Sequence, residues 1–363
     1  MRNRKSIIGI IVIGLLLLSG CQSGQQNVQQ EESESAIKPS VEATVIADNL
    51  SIPWEIQKWD DVFYLTQRTG GIVEVKDGKK SFVTTKFSQP LSKRPEAGLL
   101  GFVLDPDFGG AGEAFAYYTY EDDGDSYNRV VKLRRSGNQW IEEDVLLDRI
   151  PSGQYHHGGR LGIGPDHKLY ITTGDATEKE NAQDISYLGG KILRMNLDGS
   201  IPEDNPFKGS YVYSYGHRNP QGLVWTEDGN LYETEHGPNG YDEINLIEAG
   251  SNYGWPEVTG DERSKSMTSP LAHSGEPSWA PSGIDRWHQD LLFASLAGQS
   301  VKVFDSETRK VTELLTGFGR VRDVRVEGDF LYFITNNTDG RGIPREKDDT
   351  LYKVDLTSFS LEE

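Results

Sequence analysis

DHKLYITTGD, residues 166–175, leaves an aspartate-bearing turn, opens with the apolar–aromatic pair Leu169-Tyr170 and closes on glycine and aspartate. A β-branched and aromatic run between turn formers reads as a short strand. The pattern recurs in DDVFYLTQRTGGIVEV (60–75), EAFAYYTYEDD (113–123), DGNLYETEHG (228–237), QDLLFASLAGQSVKVF (289–304) and GDFLYFITNNTDG (328–340). The equivalent positions are Tyr64, Tyr117, Tyr170, Tyr232, Phe293 and Tyr332, spaced 53, 53, 62, 61 and 39 residues apart. Their mean of about 54 suits one propeller blade of ~40–50 residues plus loops.

Six units predict an all-β, six-bladed β-propeller of four-stranded antiparallel blades. Each blade buries both faces against its neighbours, and ring closure leaves only short edges. A β-sandwich and a right-handed β-helix are the alternatives that Asp/Gly turns also allow. The propeller matters for function because loops from all blades converge on one end of the central channel.

Composition agrees with a turn-rich β chain: 363 residues hold 40 Gly, 16 Tyr, 13 Phe and 7 Trp. The single cysteine excludes an internal disulfide framework and metal sites built on several thiolates. Lys+Arg 37 against Asp+Glu 56 leaves a net charge of -19, which argues against nucleic acid as a partner.

The N-terminus reads as an address. Arg2, Arg4 and Lys5 precede an apolar run from Ile7 to Leu18, and then comes Leu18-Ser19-Gly20-Cys21. These are the parts of a secretory signal, and the run is short for a bilayer span of about 20 residues. LSGC resembles the lipobox of bacterial lipoproteins, so residues 1–20 are expected to be a signal peptide and Cys21 a lipidated anchor. Residues 21–42 are polar and read as a flexible tether. The propeller domain is expected over 43–358, outside the cell membrane and touching it only through the anchor.

Four segments carry chemistry. In YHHGGRLGIGPDHKLYITTGD (155–175), a hairpin of this length allows His156 and Asp175 to sit side by side. A carboxylate on one ring nitrogen would leave the other as a general base; His157 reads as a turn residue before Gly-Gly. In YSYGHRNPQGLVW (213–225), Pro220 extends the preceding residue and projects Arg218 and Asn219 from a loop. In ETEHGPNGYDEINLIEAGSNYGWP (233–256), the turn at Gly237-Pro238 turns carbonyls outward. Asp242, Glu243 and the carbonyl near Tyr253 add oxygens of the kind Ca²⁺ takes; a polar loop without metal is the plainer reading. In GFGRVRDVRV (317–326), Arg320 and Arg322 share one face of a strand. Two guanidiniums there suit a ligand with carboxylates, or pair with Asp323, Glu327 or other acids.

GRLGIGPDHKLYITTGD, GGKILRMNLDGSIPEDNPF, YGHRNPQGL, HGPNGYDEINLIEAGSNYGWP and GRVRDV, in this order, resemble the soluble quinoprotein sugar dehydrogenases. Within these, the chain looks more like the aldose sugar dehydrogenases that depend on pyrroloquinoline quinone (PQQ). The resemblance covers residues 45–357 and implies the propeller, PQQ and Ca²⁺. It implies that His156 is the base for the anomeric hydroxyl, touching substrate and cofactor, and that Asp175 orients it. Arg218 and Asn219 would contact the quinone, and Arg320 and Arg322 its carboxylates. The carbonyls of Gly237 and Pro238 would bind the Ca²⁺ that holds the cofactor, and Glu243 and Tyr253 a second, structural Ca²⁺. The implied reaction is hydride transfer from C1 of an aldose to C5 of PQQ, giving a lactone, with electrons passing to an external acceptor.

Three places depart from the family pattern. Glu96 stands where a relative has glutamine; it is expected to touch the cofactor site and to lie near His156. Ala297 stands where relatives often carry Lys or Arg, a lost charge-assisted contact of roughly 1.5–3 kcal/mol. Asp261 and Glu262 are further candidates for the second Ca²⁺. The rival functions are a calcium-dependent sugar-lactone hydrolase and a non-catalytic surface-binding propeller, the latter favoured by Ala297.

Overall fold

A computed structural model describes residues 41–359. The predicted signal segment, Cys21 and the tether through residue 40 lie outside the described residues. Strand accounts for 47% of the structure and helix for 4%, so the chain is all-β. Among the described residues no helix is long and apolar enough to cross a membrane.

Four sheets have four strands each and a fifth has eight. The eight-stranded sheet is two antiparallel groups, Pro53–Trp59 through Lys79–Lys86 and Leu99–Leu104 through Gln139–Pro151. They are joined where Thr84–Lys86 runs parallel to Gln139–Ile141. The first strands of successive groups are Pro53–Trp59, Leu99–Leu104, Leu161–Ile163, Pro220–Trp225, Pro281–Trp287 and Val321–Glu327. Each lies beside the next, and Val321–Glu327 returns to Pro53–Trp59, so the succession closes in a propeller-like arrangement. The six aromatic repeat positions all fall on the second strand of their group. The strand Thr44–Ala47 pairs with Leu351–Asp355 and completes the last sheet from the other end of the chain.

Neighbouring first strands share no backbone ladder, so side chains bridge them. Glu55 Oε2 accepts from the Phe102 amide at 2.9 Å, Asp323 Oδ2 from Ile56 at 2.7 Å, and Asp285 Oδ2 from Val326 at 2.8 Å. Arg160 stands between Glu55 and Asp323, 3.3 Å from each, with its guanidinium 4.3 Å over the Trp54 ring. Gly283 is required beside this cluster, since a Cβ there would lie 1.5 Å from Asp323 Oδ1. Between sheets the core is apolar: Trp54, Leu100, Phe115, Tyr117, Leu161, Leu169 and Leu193 form one cluster drawn from three groups. Fixed first strands are what give the loops beyond them a defined geometry.

Candidate active site

His156 and Asp175 meet as the hairpin spacing predicted, Nδ1 to Oδ1 at 2.8 Å. Asp175 is buried and further held by the Trp255 indole N–H on Oδ2 and the Thr177 amide on Oδ1, both at 2.8 Å. Three fixed contacts on the carboxylate set the ring's orientation. With Nδ1–H donating to Asp175, Nε2 keeps its lone pair, and no protein group among the described residues occupies it. The His156 side chain is 19% exposed, so a small molecule can reach it. A Cβ at Gly174 would lie 1.9 Å from the His156 carbonyl oxygen, so glycine allows this close approach. His156 and Glu96 both have left-handed backbones, φ 65° and 63°, strain of about 1–3 kcal/mol each that clusters at functional sites.

His157, read from sequence as a turn residue, points inward. It is buried, with Nε2 on the Pro95 carbonyl and Nδ1 on Ser152 Oγ, both at 3.0 Å. Burial pushes its pKa down to about 4.

A cavity of about 290 Å³ opens beside this pair. Its lining includes Arg68, Arg320, Arg322 and Arg341 against two acids, Glu96 and Asp339. Both acids are already paired: Arg320 with Asp339 at 3.0 Å and Arg341 with Glu96 at 2.7 Å. Burial raises the Glu96 carboxyl, but Arg341 outweighs it and holds the group near about 2. Glu96 Oε2 also accepts from the His156 amide at 3.2 Å, so it lies beside His156 as expected. His156 itself does not line this cavity; Glu96, which accepts from the His156 amide, and the neighbouring His157 and Gly158 do. Arg320 and Arg322 do share it, together with Ala297 and Trp54. Of the acids proposed as their partners, Asp323 belongs to Arg160 and Glu327 to Arg325.

Arg218 and Asn219 part company. Asn219 is buried and its Oδ1 accepts from the Gly158 amide at 3.0 Å, so that oxygen braces the Gly-Gly turn. Arg218 reaches the His236 carbonyl at 3.1 Å, with its guanidinium 5.3 Å over Trp255. It lines a second, small cavity of about 10 Å³ with Gly237, Pro238, Glu235, Glu243 and Tyr253. That volume suits one water-sized or ion-sized centre.

Behind it, the strands Leu231–Glu235 and Glu243–Ile247 set Glu233 opposite Asn245 and Glu235 opposite Glu243. The Asn245 amide lies 3.2, 3.2 and 3.4 Å from Glu233, Glu235 and Glu243, and no lysine or arginine pairs with these acids among the described residues. Burial, then Glu235, lifts Glu243 to about 8, and the same two causes push Glu233 well above the ordinary carboxylate range. Tyr253 gives its hydroxyl to the Leu246 carbonyl, stacks on His217 and donates its amide to the Tyr215 carbonyl, which leaves its own carbonyl for any ligand role. Asp261 is exposed and pairs with His273 at 3.2 Å, while Glu262 accepts from the Thr259 amide.

The residues present fit an anionic quinone and a hard cation. Arg218 Nε, Arg320 Nε, Arg322 Nε and His236 Nε2 are buried with no partner, and Glu233 Oε1 and Asn245 Oδ1 are orphaned acceptors. Arg68, His236, Asp339 and Arg341 were not singled out from sequence. A signal for some of them existed: Arg68, His236 and Ala297 each stand four residues after the repeat's aromatic, on the turn leaving the second strand.

Fold and site together place the chain in a class, the sugar dehydrogenases. It belongs to the Glucose / Sorbosone dehydrogenase family, whose model matches residues 50–345. It is 39% identical over 251 residues to quinoprotein glucose dehydrogenase B of Acinetobacter calcoaceticus, covering 60% of this chain and 52% of that one. The chain thus spans about half the length of that relative. To the aldose sugar dehydrogenase of Escherichia coli it is 32% identical, covering 84% of this chain and 92% of the other. The PQQ-bound structure of aldose sugar dehydrogenase from Streptomyces coelicolor matches with a TM-score of 0.80 at 34% identity, covering 88% and 98%.

Proposed function

We propose that this protein is a PQQ- and Ca²⁺-dependent aldose dehydrogenase that oxidises C1 of a sugar to a lactone. In this reading the sheets form six blades, and a lipid on Cys21 holds the enzyme at the outer face of a bacterial cell membrane. The observation that carries the chemistry is the His156–Asp175 pair beside a cavity with two more guanidiniums than carboxylates. His156 Nε2 takes the proton of the anomeric hydroxyl, and the Asp175 carboxylate stabilises the imidazolium that results. Trp255 and Thr177 keep that carboxylate from turning away. Arg218, whose buried Nε lacks a partner, offers a donor where negative charge develops. When bound, the quinone supplies the hydride acceptor. The carbonyls of Gly237 and Pro238 would hold the Ca²⁺ of the cofactor site, and Glu243 with the Tyr253 carbonyl the second ion. Electrons leave to an acceptor outside the membrane.

The test is dye reduction by apo-protein given PQQ, Ca²⁺ and a panel of aldoses. His156→Ala is expected to lower turnover by at least about 100-fold, the scale of general-base catalysis, while still quenching with PQQ. Turnover that survives the substitution removes His156 as the base. Lactone opening without PQQ would instead identify a hydrolase.

A further inference from the structure

A further cavity, of about 500 Å³, takes a contribution from every one of the six first strands. Gln57, Val103, Ile163, Trp225, Asp285 and Arg325 come one from each strand in turn. The candidate active-site cavity uses earlier residues of the same strands, Trp54, Leu100, Gln221 and Arg322. The two cavities therefore lie at opposite ends of those strands, with Arg160 between them. Its guanidinium covers Trp54 of the first cavity at 4.3 Å, and it lines the second together with Glu55 and Asp323. Arg160 is buried and gives Nε to the Gln221 carbonyl at 2.8 Å. Its Nη2 lies 3.3 Å from Asp323 yet has no hydrogen-bond partner among the described residues.

The lining is charged but balanced. Arg160 is shared by Glu55 and Asp323, and Arg325 lies 3.9 Å from Asp285 and 2.9 Å from Glu327. An ionic ligand finds no lone counter-ion there, in contrast to the arginine-rich cavity at the other end. What this cavity offers is hydrogen bonding, from carboxylates, guanidiniums, Gln57 and His167. Beside these groups lies an aromatic ring. Trp225 is half-buried, with Tyr170 packed edge-on at 5.1 Å. Glycine at 162 gives the indole room, since a Cβ there would lie 2.7 Å from it. Val103, Ile163, Ile284 and Val324 add apolar surface. Apolar walls, an indole and balanced polar groups suit an uncharged ligand with C–H faces and a rim of hydroxyls, and the volume falls in the ~300–1,000 Å³ range of small-molecule sites. We propose that this cavity is a second ligand site, which takes a free, uncharged mono- or disaccharide laid against Trp225. The site lies apart from the quinone and Ca²⁺ positions proposed above and depends on neither.

The experiment titrates D-glucose, D-xylose and maltose into apo-protein, without PQQ or Ca²⁺, and reads binding by saturation-transfer NMR and calorimetry. Saturable binding in the millimolar range is expected, the ordinary strength for a small polar ligand. Trp225→Leu is expected to weaken it about 10-fold, the scale of one aromatic contact. Val103→Phe adds bulk to the lining while sparing Trp225, and is expected to weaken it at least as much. Ala297→Trp obstructs the candidate active-site cavity instead and is expected to leave the binding unchanged. Melting temperatures establish that each variant is folded, and either lining variant alone decides the outcome. Binding that survives a folded Trp225→Leu or Val103→Phe unchanged, or that is lost in Ala297→Trp, puts the sugar elsewhere and overturns the second site. Absence of binding by every sugar of the panel overturns it as well.

Discussion

His157 faces inward from the same dipeptide that presents His156 to solvent. Its two nitrogens are held by the Pro95 carbonyl and Ser152, and burial keeps the ring neutral against the Pro95 contact, which favours the proton. Burial lowers its pKa from 6.5 to about 4. The sign follows from proton binding: between pH 6.5 and 4 the unfolded chain takes up a proton that the folded one refuses. Stability is therefore full above the unfolded value and falls as pH drops through this window, by up to about 1.4 kcal/mol per pH unit for one group. His157→Gln, which keeps a donor for Pro95, is expected to flatten the decline in melting temperature between pH 7 and 4.5. An identical slope in variant and parent would show that other groups govern it. His156, one residue away, is 19% exposed at its side chain, the accessibility its proposed role as a base needs and His157 lacks.

At the level of strands, the repeat was legible because second strands obey simple rules. They are buried on both faces, so apolar and aromatic residues run together between Asp/Gly turns. All six aromatics chosen from sequence lie on those strands. The parallel joint between Thr84–Lys86 and Gln139–Ile141 was not legible, since no local pattern encodes which chain edges meet. The His156–Asp175 contact was legible because hairpin spacing constrains it. Arg68 and Asp339 were not, because their partners come from other loops and distant sequence. The strand Thr44–Ala47 makes a prediction of its own. It covers the outer edge of Leu351–Asp355 and ties the two ends of the domain together. Removing residues through Ala47 is expected to destabilise by about 2–4 kcal/mol, a few backbone hydrogen bonds plus the buried Ala47, whereas truncation just before Val41 is expected to change little. Urea midpoints of the two truncations measure this; equal midpoints would mean that the last sheet stands on three strands.

Across the whole molecule, charge is sorted by position. A chain of net charge -19 gathers four arginines around one cavity and three acids, Glu233, Glu235 and Glu243, in the interior of an adjacent sheet. Each cluster is unfavourable alone. Like charges raise each other's cost in a low dielectric, and neither cluster neutralises the other, since no arginine or lysine pairs with the three glutamates among the described residues. The fold therefore stores two complementary deficits, which the proposed quinone and cation would answer. In the proposed reading calcium would suit the second: beside His217 the donors are mostly oxygens, and Glu233 Oε1 and Asn245 Oδ1 have no partner. A ligand that binds only the folded state stabilises it by about 2.7 kcal/mol at 100 times its dissociation constant, several degrees of melting temperature for a domain this size. Chelator-treated protein is thus expected to melt several degrees lower than protein returned to Ca²⁺, and Mg²⁺, which demands a tighter octahedral shell, should restore less. Glu243→Gln should shrink the Ca²⁺-dependent rise. The same melting temperature with chelator and with Ca²⁺ would mean that protons, not metal, neutralise the buried glutamates.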